Sequence, residues 1–306
     1  MEIIKFYPIH KPTIWGSETW IASAVKGDES VVSEGCYKGM SLTEVVERFG
    51  SAFLGEANHA RFGKDFPLLI KMIDAQQDLS IQVHPDDKLS AERHGKMGKN
   101  EMWYIVDADH GCQLIAGFKH HLDKKDYAQK IADGSIEEDL GKVDVAPGDC
   151  IYIPAGRVHS IGAGMKIAEI QQTSDVTYRI YDFMRKDANG NTRELHTEWA
   201  LDAIDFDDIV DNPKTVYTDQ RNAVVPLVES PFFNTIKLTL TTQYERSFEE
   251  DSFHAYMCVD GNCCFIAPDG KGIFLHQGEA LVVPAEMKHV TIIPDQMAKL
   301  LECCVI

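Results

Sequence analysis

The stretch GDCIYIPAGRVH, from Gly148 to His159, decides the fold class. It places a short apolar run between two turn signals and ends in a histidine. The same spacing returns in GEALVVPAEMKH, from Gly278 to His289. A repeat of this kind indicates two modules of one design. A weaker upstream similarity between the segments that begin at Glu101 and at His254 extends the repeat.

The rest of the chain predicts a mainly β protein. Short segments rich in Ile, Val, Phe and Tyr recur between turn residues, which is typical of short strands. Examples are FPLLIKMI from Phe66, EMWYIVDAD from Glu101, CQLIAGF from Cys112 and MKIAEIQQ from Met165. Two segments are predicted to be helical insertions: Asp123 to Leu140, with Asp123 as N-cap and Gly134 as a break, and Glu194 to Phe206.

The length and one polar stretch predict two domains. A chain of 306 residues exceeds the usual size of a single hydrophobic core. The stretch from Asp207 to Asn222 is polar, contains Pro213 and lacks periodicity, so it is the best linker candidate. We therefore predict domains at 1–220 and 221–306, with the boundary near Arg221.

The composition argues against several classes of partner. A formal net charge of −18, spread along the chain, disfavours binding to nucleic acid or to anionic membranes. The apolar runs are too short for a membrane span, and the first residues lack the pattern of a secretory signal. The eight cysteines include no Cys-x-x-Cys pair. The expected compartment is the cytoplasm, where disulfides do not persist.

Four residues form a candidate metal site. The spacing from Gly148 to His159 resembles the second motif of the cupin superfamily, in which a turn delivers one histidine into a small barrel. Gln82 and His84, followed by Glu101, match the order of the first cupin motif. Residues i and i+2 of a strand point to one face, so Gln82 and His84 enter the barrel together. Taken alone, each of these residues is better interpreted as structural. Taken together, the four predict a site for zinc or another borderline divalent ion, with a coordination position left open for water or substrate.

At these residues the sequence resembles the type I mannose-6-phosphate isomerases, especially their short bacterial form. The resemblance is carried by FPLLIKMIDAQQDLSIQVHPDD (Phe66 to Asp87), GKNEMWYIVDA (Gly98 to Ala108) and PAGRVHSIGAGMKIAEIQQTSDVTYRIYDFMR (Pro154 to Arg185). The segment WGSETWIAS, from Trp15 to Ser23, is similar to the family's opening motif. The resemblance covers about the first two thirds of the chain and implies two cupin-like β-barrel (jelly-roll) modules.

The resemblance also implies roles for individual residues. The family's zinc ligands fall on Gln82, His84, Glu101 and His159, which implies one Zn²⁺ per chain. The family's essential arginine falls on Arg179 and its active-site lysine on Lys99, so both are expected to be catalytic. Longer relatives have a histidine where Gly98 stands, and a lysine where Arg185 stands. Further residues are expected in the substrate pocket: Ser80, Lys71, Asp175 and Arg185.

The function that the resemblance implies is interconversion of mannose-6-phosphate and fructose-6-phosphate through an enediol or enediolate. The expected partner is therefore a small sugar phosphate. Asp175, Glu169 and Lys99 remain alternatives for the group that moves the proton. Two other functions stay open: a cupin isomerase for another sugar phosphate such as glucose-6-phosphate, and a non-catalytic sugar or metal sensor.

The second module is predicted to hold no metal. The repeat alignment puts His254 opposite Glu101 and keeps His289. It sets Thr235 and Lys237 roughly opposite Gln82 and His84. A lysine at a ligand position repels a cation, and a single histidine does not hold zinc.

Overall fold

A computed structural model describes residues 1–186, 189–209 and 211–306. Within these ranges the strands form three sheets, and the strand pairs are antiparallel. The eight-stranded sheet consists of β1 Ile4–Lys5, β13 Val224–Glu229, β14 Asn234–Leu240, β15 Tyr244–Ser247, β16 His254–Ile266, β17 Gly272–His276, β18 Ala280–Val283 and β19 His289–Cys304. The five-stranded sheet has the order β12 Tyr178–Tyr181, β5 Ile81–Val83, β10 His159–Ile161, β7 Gln113–Phe118 and β8 Leu140–Asp144. The six-stranded sheet has the order β2 Ile9–Thr13, β3 Gly16–Ala22, β4 Leu68–Ala75, β11 Met165–Gln172, β6 Glu101–Ala108 and β9 Cys150–Ile153.

Among the described residues the helices are short and less numerous than the strands, so the prediction of a mainly β protein is confirmed. The helices are α1 Leu42–Phe49, α2 Ser51–Leu54, α3 Glu56–Phe62, α4 Asp87–His94, α5 Lys124–Asp133 and α6 Thr197–Ala203, with a 3₁₀ turn at Ile136–Asp139. In the predicted segment Asp123 to Leu140, the N-cap is confirmed, because the Asp123 side chain accepts from the Asp126 N–H, and Gly134 is the break, in the left-handed conformation. Beyond this break the segment forms a 3₁₀ turn at Ile136–Asp139, and Leu140 begins a strand. The helix α6 lies inside the predicted segment Glu194 to Phe206 but is shorter.

The chain contains two compact units. Unit 1 comprises Met1–His10, Thr19–Met72 and Val216–Ile306, and unit 2 comprises Lys11–Glu18 and Ile73–Thr215. The N-terminal segments therefore belong to the same unit as the C-terminal strands. The predicted division at 1–220 and 221–306 stays a prediction about domains. In the predicted linker 207–222, Val210 lies outside the described residues.

The core of unit 2 lies between strands of the six-stranded sheet and strands of the five-stranded sheet. Trp103, Ile151 and Ile167 reach this core from one sheet, and Leu114 and Ile161 reach it from the other. These side chains are almost completely buried. Each buried side chain of this size contributes about 1.5–3 kcal/mol relative to an exposed one. The core therefore holds the two sheets face to face and fixes the strands that carry the site.

Unit 1 contains the second copy of the repeat. Its core includes Leu238, Tyr256, Phe265, Leu281 and Leu300. In unit 2, Glu101 lies opposite Ile153, the residue before Pro154. In unit 1, His254 lies opposite Val283, the residue before Pro284. The predicted match of His254 with Glu101 is therefore confirmed.

The predicted match of Thr235 and Lys237 with Gln82 and His84 is wrong. In unit 2 the strand that begins at His159 pairs with β5, so that His159 lies opposite Gln82. In unit 1 the strand that begins at His289 pairs with β15, so that His289 lies opposite Ser247. Ser247 therefore takes the place of Gln82, and the strand that contains Thr235 and Lys237 is one strand earlier in the chain.

Among the described residues, no helix combines the length and the apolar character that a membrane crossing requires.

Candidate metal centre

Three strands of unit 2 bring the predicted ligands together. Strand β5 carries Gln82 and leads directly to His84, while β10 begins at His159 and β6 begins at Glu101. Gly156 lies in the turn before His159 and has a φ of 90°, a backbone conformation that favours glycine. A Cβ atom at this position would meet the Ala203 carbonyl oxygen at 3.2 Å. The turn therefore depends on this glycine.

The side chains of His84, Glu101 and His159 converge on one buried point. His84 Nε2 lies 3.1 Å from His159 Nε2 and 3.4 Å from Glu101 Oε2. His159 Nε2 lies 3.3 Å from Glu101 Oε1. A tetrahedral site with metal–ligand distances of 2.0–2.1 Å has ligands about 3.3 Å apart. The three side chains thus have the separation that a single small cation requires, and all three are buried.

The tautomers of both histidines leave Nε2 free to bind a metal. His84 Nδ1 lies 3.0 Å from the Val176 carbonyl oxygen, and His159 Nδ1 lies 2.8 Å from the Arg157 carbonyl oxygen. A carbonyl only accepts, so each Nδ1 carries the proton and each Nε2 presents its lone pair. Such backbone partners commonly orient histidine ligands.

The protonation states also suit a cation. Burial lowers the pKa of His84 to about 3, with a smaller contribution from Lys99, and burial likewise lowers the pKa of His159. Burial alone would raise the pKa of Glu101, but Lys99 and the two imidazoles outweigh it and hold that pKa well below its usual value. At neutral pH the group therefore consists of two neutral imidazoles and one carboxylate, the forms that bind metals.

Two further observations fit a bound cation. The Glu101 carboxylate is buried, and its Oε2 forms an ion pair with the Lys99 ammonium at 2.9 Å, so the group attracts positive charge. The Gln82 amide lies beside the group, with Nε2 at 3.3 Å from His159 Nε2. Rotation of this amide by 180° brings its oxygen to the same place. The described donor set is thus one that a borderline divalent ion accepts.

Lys99 lies at the centre of the predicted site. Its Nζ is 2.9 Å from His84 Nε2 and 2.9 Å from Glu101 Oε2. The preceding Gly98 packs closely against the start of α4, where a Cβ atom would meet the backbone of Asp86 and Asp87 at 2.5 Å. A histidine at this position, as in longer relatives, would therefore displace the loop that carries Lys99.

Arg179 lies in the same row of side chains as two predicted ligands. It is directly opposite Gln82 in the pairing of β12 with β5, and Gln82 is opposite His159. Directly opposite residues share one face of a sheet, with Cβ atoms about 4.5–5.5 Å apart. Arg179 donates from Nη1 to the Glu194 carbonyl at 2.9 Å, while its buried Nε has no hydrogen-bond partner among the described residues. Burial lowers the pKa of this guanidinium.

The predicted pocket residues have different surroundings. Arg185 forms an ion pair with Asp182, which Arg193 also contacts. Asp175 forms an ion pair with Lys96. Ser80 is buried and lies two residues before Gln82. Lys71 belongs to unit 1, where its ammonium lies 5.8 Å from the ring centroid of Trp20. Their roles in substrate binding stay predictions.

Sequence reasoning missed a buried polar network beside the ligands. Asn100, which precedes Glu101, donates to Gln172 at 2.7 Å, and Gln172 donates to Asp87 at 3.0 Å. The available signal was a polar residue directly beside a proposed ligand in a predicted strand. The hydrogen-bond partners of that residue are distant in sequence, so the sequence does not indicate them.

Comparisons with known proteins identify the family. Residues 5–127 match the family described as phosphomannose isomerase type I, catalytic domain. The mannose-6-phosphate isomerase ManA of Bacillus subtilis is 37% identical over 259 residues, which cover 78% of this chain and 80% of that protein. The chain belongs to the type I phosphomannose isomerase family. The mannose-6-phosphate isomerase of Streptococcus mutans is 38% identical over 226 residues, which cover 74% of this chain and 70% of that protein.

The fold agrees with a solved structure of this family. The crystal structure of the mannose 6-phosphate isomerase from Bacillus subtilis superimposes with a TM-score of 0.89 at 29% identity, and the match covers 99% of each chain. The predicted fold class, two cupin-like barrels of mainly β structure, is confirmed by this match. The strand order that brings His84, Glu101 and His159 together therefore belongs to a fold that this chain shares with the solved structure.

Proposed function

We propose that this chain is a metal-dependent mannose-6-phosphate isomerase, which interconverts mannose-6-phosphate and fructose-6-phosphate. The observation that carries the proposal is the convergence of His84, Glu101 and His159 on one buried point. The Lys99 ammonium lies at this group, and Arg179 lies opposite Gln82 in the adjoining strand. The relatives that share this sequence over most of its length are named for the same reaction. The sugar phosphate is an anion, and cations gathered in a protein of net charge −18 suit it.

We propose Zn²⁺ as the metal, with one ion per chain. Gln82, His84, Glu101 and His159 would hold it. Two imidazole nitrogens, one carboxylate and one amide oxygen are borderline to hard ligands, and no thiolate is among them, so the set differs from that of a structural zinc site. When bound, the ion supplies Lewis-acid charge that polarises an oxygen of the substrate.

The chain's own residues would perform the remaining steps. Isomerisation moves a proton between C1 and C2, and negative charge develops on the carbonyl oxygen. The guanidinium of Arg179 would stabilise this charge or bind the phosphate, because its buried Nε has no hydrogen-bond partner among the residues that the structure describes. Of the three candidates for proton transfer, Lys99 is the one whose polar atom lies at the ligand group. Asp175 pairs with Lys96, and Glu169 accepts from Trp103 Nε1.

A coupled assay before and after chelation tests the proposal. The purified chain is expected to convert mannose-6-phosphate, to lose turnover in the presence of a chelator and to recover it when Zn²⁺ is added. Faster turnover of glucose-6-phosphate would instead support an isomerase for that sugar. Sugar phosphate binding without turnover of either sugar would support a sensor. The cytoplasm stays the proposed compartment.

A further inference from the structure

His196 holds the backbone of Arg179 through two hydrogen bonds. The Arg179 N–H donates to His196 Nδ1 at 3.0 Å, and the His196 N–H donates to the Arg179 carbonyl oxygen at 2.8 Å. Both backbone polar groups of Arg179 are thus bonded to a single residue. One of these bonds uses a side chain, so its strength depends on the identity and the protonation state of residue 196.

The imidazole ring of His196 is fixed by aromatic packing. It stacks on Trp199 with an interplanar angle of 13°, and its centroid lies 6.4 Å from that of Tyr178. The helix α6 begins at the next residue, Thr197. Because neighbouring side chains in a strand point to opposite faces, Tyr178 packs near His196 while Arg179 shares the face of Gln82. The two hydrogen bonds between His196 and the Arg179 backbone therefore lie along the free edge of β12, the outermost strand of the five-stranded sheet.

The hydrogen bond requires a neutral ring. An imidazole Nδ1 that accepts must present a lone pair, so the ring proton is on Nε2. Burial lowers the pKa of His196, and the charges of Arg179 and His94 lower it further, against the opposing effect of Glu194. These groups lie near the ring on β12, on α4 and on its own segment, and the phenol of Tyr178 on β12 lies near it as well. The bond is therefore present at neutral pH and is lost when the ring gains a second proton at acid pH.

We propose that His196 is a positioning residue, which holds β12 so that Arg179 stays opposite Gln82, in the row of side chains that includes His159. The proposal rests on the proposed function, because it assigns Arg179 to the reaction. His196 acts only through the backbone of Arg179 and contacts no reacting atom. A small displacement of Arg179 is sufficient to slow catalysis, since misplacement by about 1 Å costs up to about 100-fold in rate.

Two substitutions separate the hydrogen bond from the packing. In His196→Asn the amide oxygen takes the place of Nδ1 and does not titrate, whereas His196→Ala removes the acceptor. We expect kcat to fall about tenfold in His196→Ala, with unchanged metal content, and to stay within about threefold of the parent in His196→Asn. We also expect the acid limb of the kcat profile to shift to lower pH in His196→Asn.

Hydrogen exchange provides a test that does not depend on the reaction. The Arg179 amide is expected to exchange faster in His196→Ala than in the parent chain, and at a rate near that of the parent in His196→Asn. The control is His94→Ala, because His94 also packs on Tyr178, with its Nε2 at 2.8 Å from the hydroxyl, but makes no hydrogen bond with Arg179 among those of the described residues. This control is expected to keep kcat within about twofold.

Several results would overturn the proposal. One is parental kcat together with parental exchange at Arg179 in His196→Ala. Another is a loss of rate in His196→Asn as large as that in His196→Ala. A third is a loss of bound metal together with the loss of rate in His196→Ala. If the parent chain does not turn over mannose-6-phosphate, the proposed function fails. Exchange at Arg179 then still decides whether His196 holds the strand.

Discussion

Asn100 and Gln172 are joined by three hydrogen bonds in the interior of unit 2. The Asn100 Nδ2 group donates to Gln172 Oε1 at 2.7 Å, the Asn100 backbone N–H donates to the same oxygen at 2.9 Å, and the Gln172 N–H donates to the Asn100 carbonyl at 3.1 Å. Both side chains are buried. Because Asn100 directly precedes Glu101, this pair fixes the backbone from which the carboxylate projects.

The pair also connects the other segments of the site. Asp87 Oδ1 accepts from both Gln172 Nε2 and the Gly98 N–H, at 3.0 and 2.8 Å. On the other side, Asn100 Oδ1 accepts from the Ala155 N–H at 2.9 Å. One network thus joins the loop after His84, the start of β6 and the turn before His159. Such networks preorganise metal ligands.

The first prediction concerns Asn100→Ala. The substitution removes the acceptor of the Ala155 N–H and one of the two donors to Gln172 Oε1, which costs about 1–3 kcal/mol of unfolding free energy. We also expect metal affinity to fall by about 10- to 100-fold, as for other residues that orient ligands. Thermal unfolding and competition with a chromophoric chelator measure the two effects. Gln129→Ala, an exposed amide in α5 of the same unit, is the control. Parental metal affinity in Asn100→Ala would contradict the prediction.

The second prediction concerns Arg179→Ala. Arg179 shares a row with Gln82 and His159, yet its side chain is not part of the group that could hold the metal. We therefore expect the variant to keep its metal while kcat/KM for mannose-6-phosphate falls by about 100- to 1,000-fold, as when a group that stabilises transition-state charge is removed. The measurements are metal analysis and steady-state kinetics. Arg93→Ala is the control, because Arg93 pairs with Asp202 on α6. A loss of less than about tenfold would assign Arg179 a structural role.

The sequence was sufficient to predict that His84, Glu101 and His159 lie together, but not the network beside them. His84, Glu101 and His159 occupy positions that strand alternation and one turn motif determine locally. The partners of Asn100 lie 55 and 72 residues away, at Ala155 and Gln172, and only tertiary packing brings them together.

Two errors have local explanations. Helix α1 was not predicted, although Ser41 and Glu44 form a capping box that the sequence displays. The match of Thr235 with Gln82 was wrong because β14 and β15 follow each other closely in the chain and both have the alternating side-chain pattern of a strand. The register of His289 with Ser247 distinguishes them, and register is a tertiary property.

The third prediction concerns a buried ion cluster in unit 1. The Glu302 carboxylate accepts from Arg246 at 2.8 and 2.9 Å, from the Tyr256 hydroxyl at 2.8 Å and from His254 Nδ1 at 2.9 Å. Burial raises the pKa of Glu302, but the bonds from His254 and Arg246 outweigh it and lower the pKa to about 2. The folded state therefore binds this proton more weakly than the unfolded state does.

A lowered pKa contributes stability that is present above the unfolded value of 4.5 and is lost as pH falls toward about 2. The contribution is about 3 kcal/mol. We expect Glu302→Gln to lower the unfolding free energy at pH 7 by up to about 3 kcal/mol, because it removes the charge partner of the partly buried Arg246. The decrease in stability between pH 4.5 and 2 should also become smaller than in the parent chain. Urea unfolding across this range measures both effects, with the exposed Glu249→Gln as control. An unchanged pH dependence would show that Glu302 is not the group responsible.

The fourth prediction compares His159 and His289, which hold equivalent positions in the two copies of the repeat. His159 is buried with its Nε2 at 3.1 Å from that of His84, whereas His289 is exposed and lies opposite Ser247.

The same comparison explains why the copy in unit 2 is expected to bind a metal ion and the copy in unit 1 is not. In unit 1 the neighbours Phe248 and Val290 face the core, so Ser247 and His289 point outward, and His254 is bonded to Glu302. The side chains of unit 1 that match the ligands therefore do not converge. We expect His159→Ala to lose its metal and its turnover together, because three remaining ligands bind the ion weakly. We expect His289→Ala to retain about one metal ion per chain and full activity. Metal analysis by mass spectrometry and the isomerase assay measure both variants side by side. Two ions per chain, with one lost in His289→Ala, would show instead that unit 1 contains a second metal site built on His289.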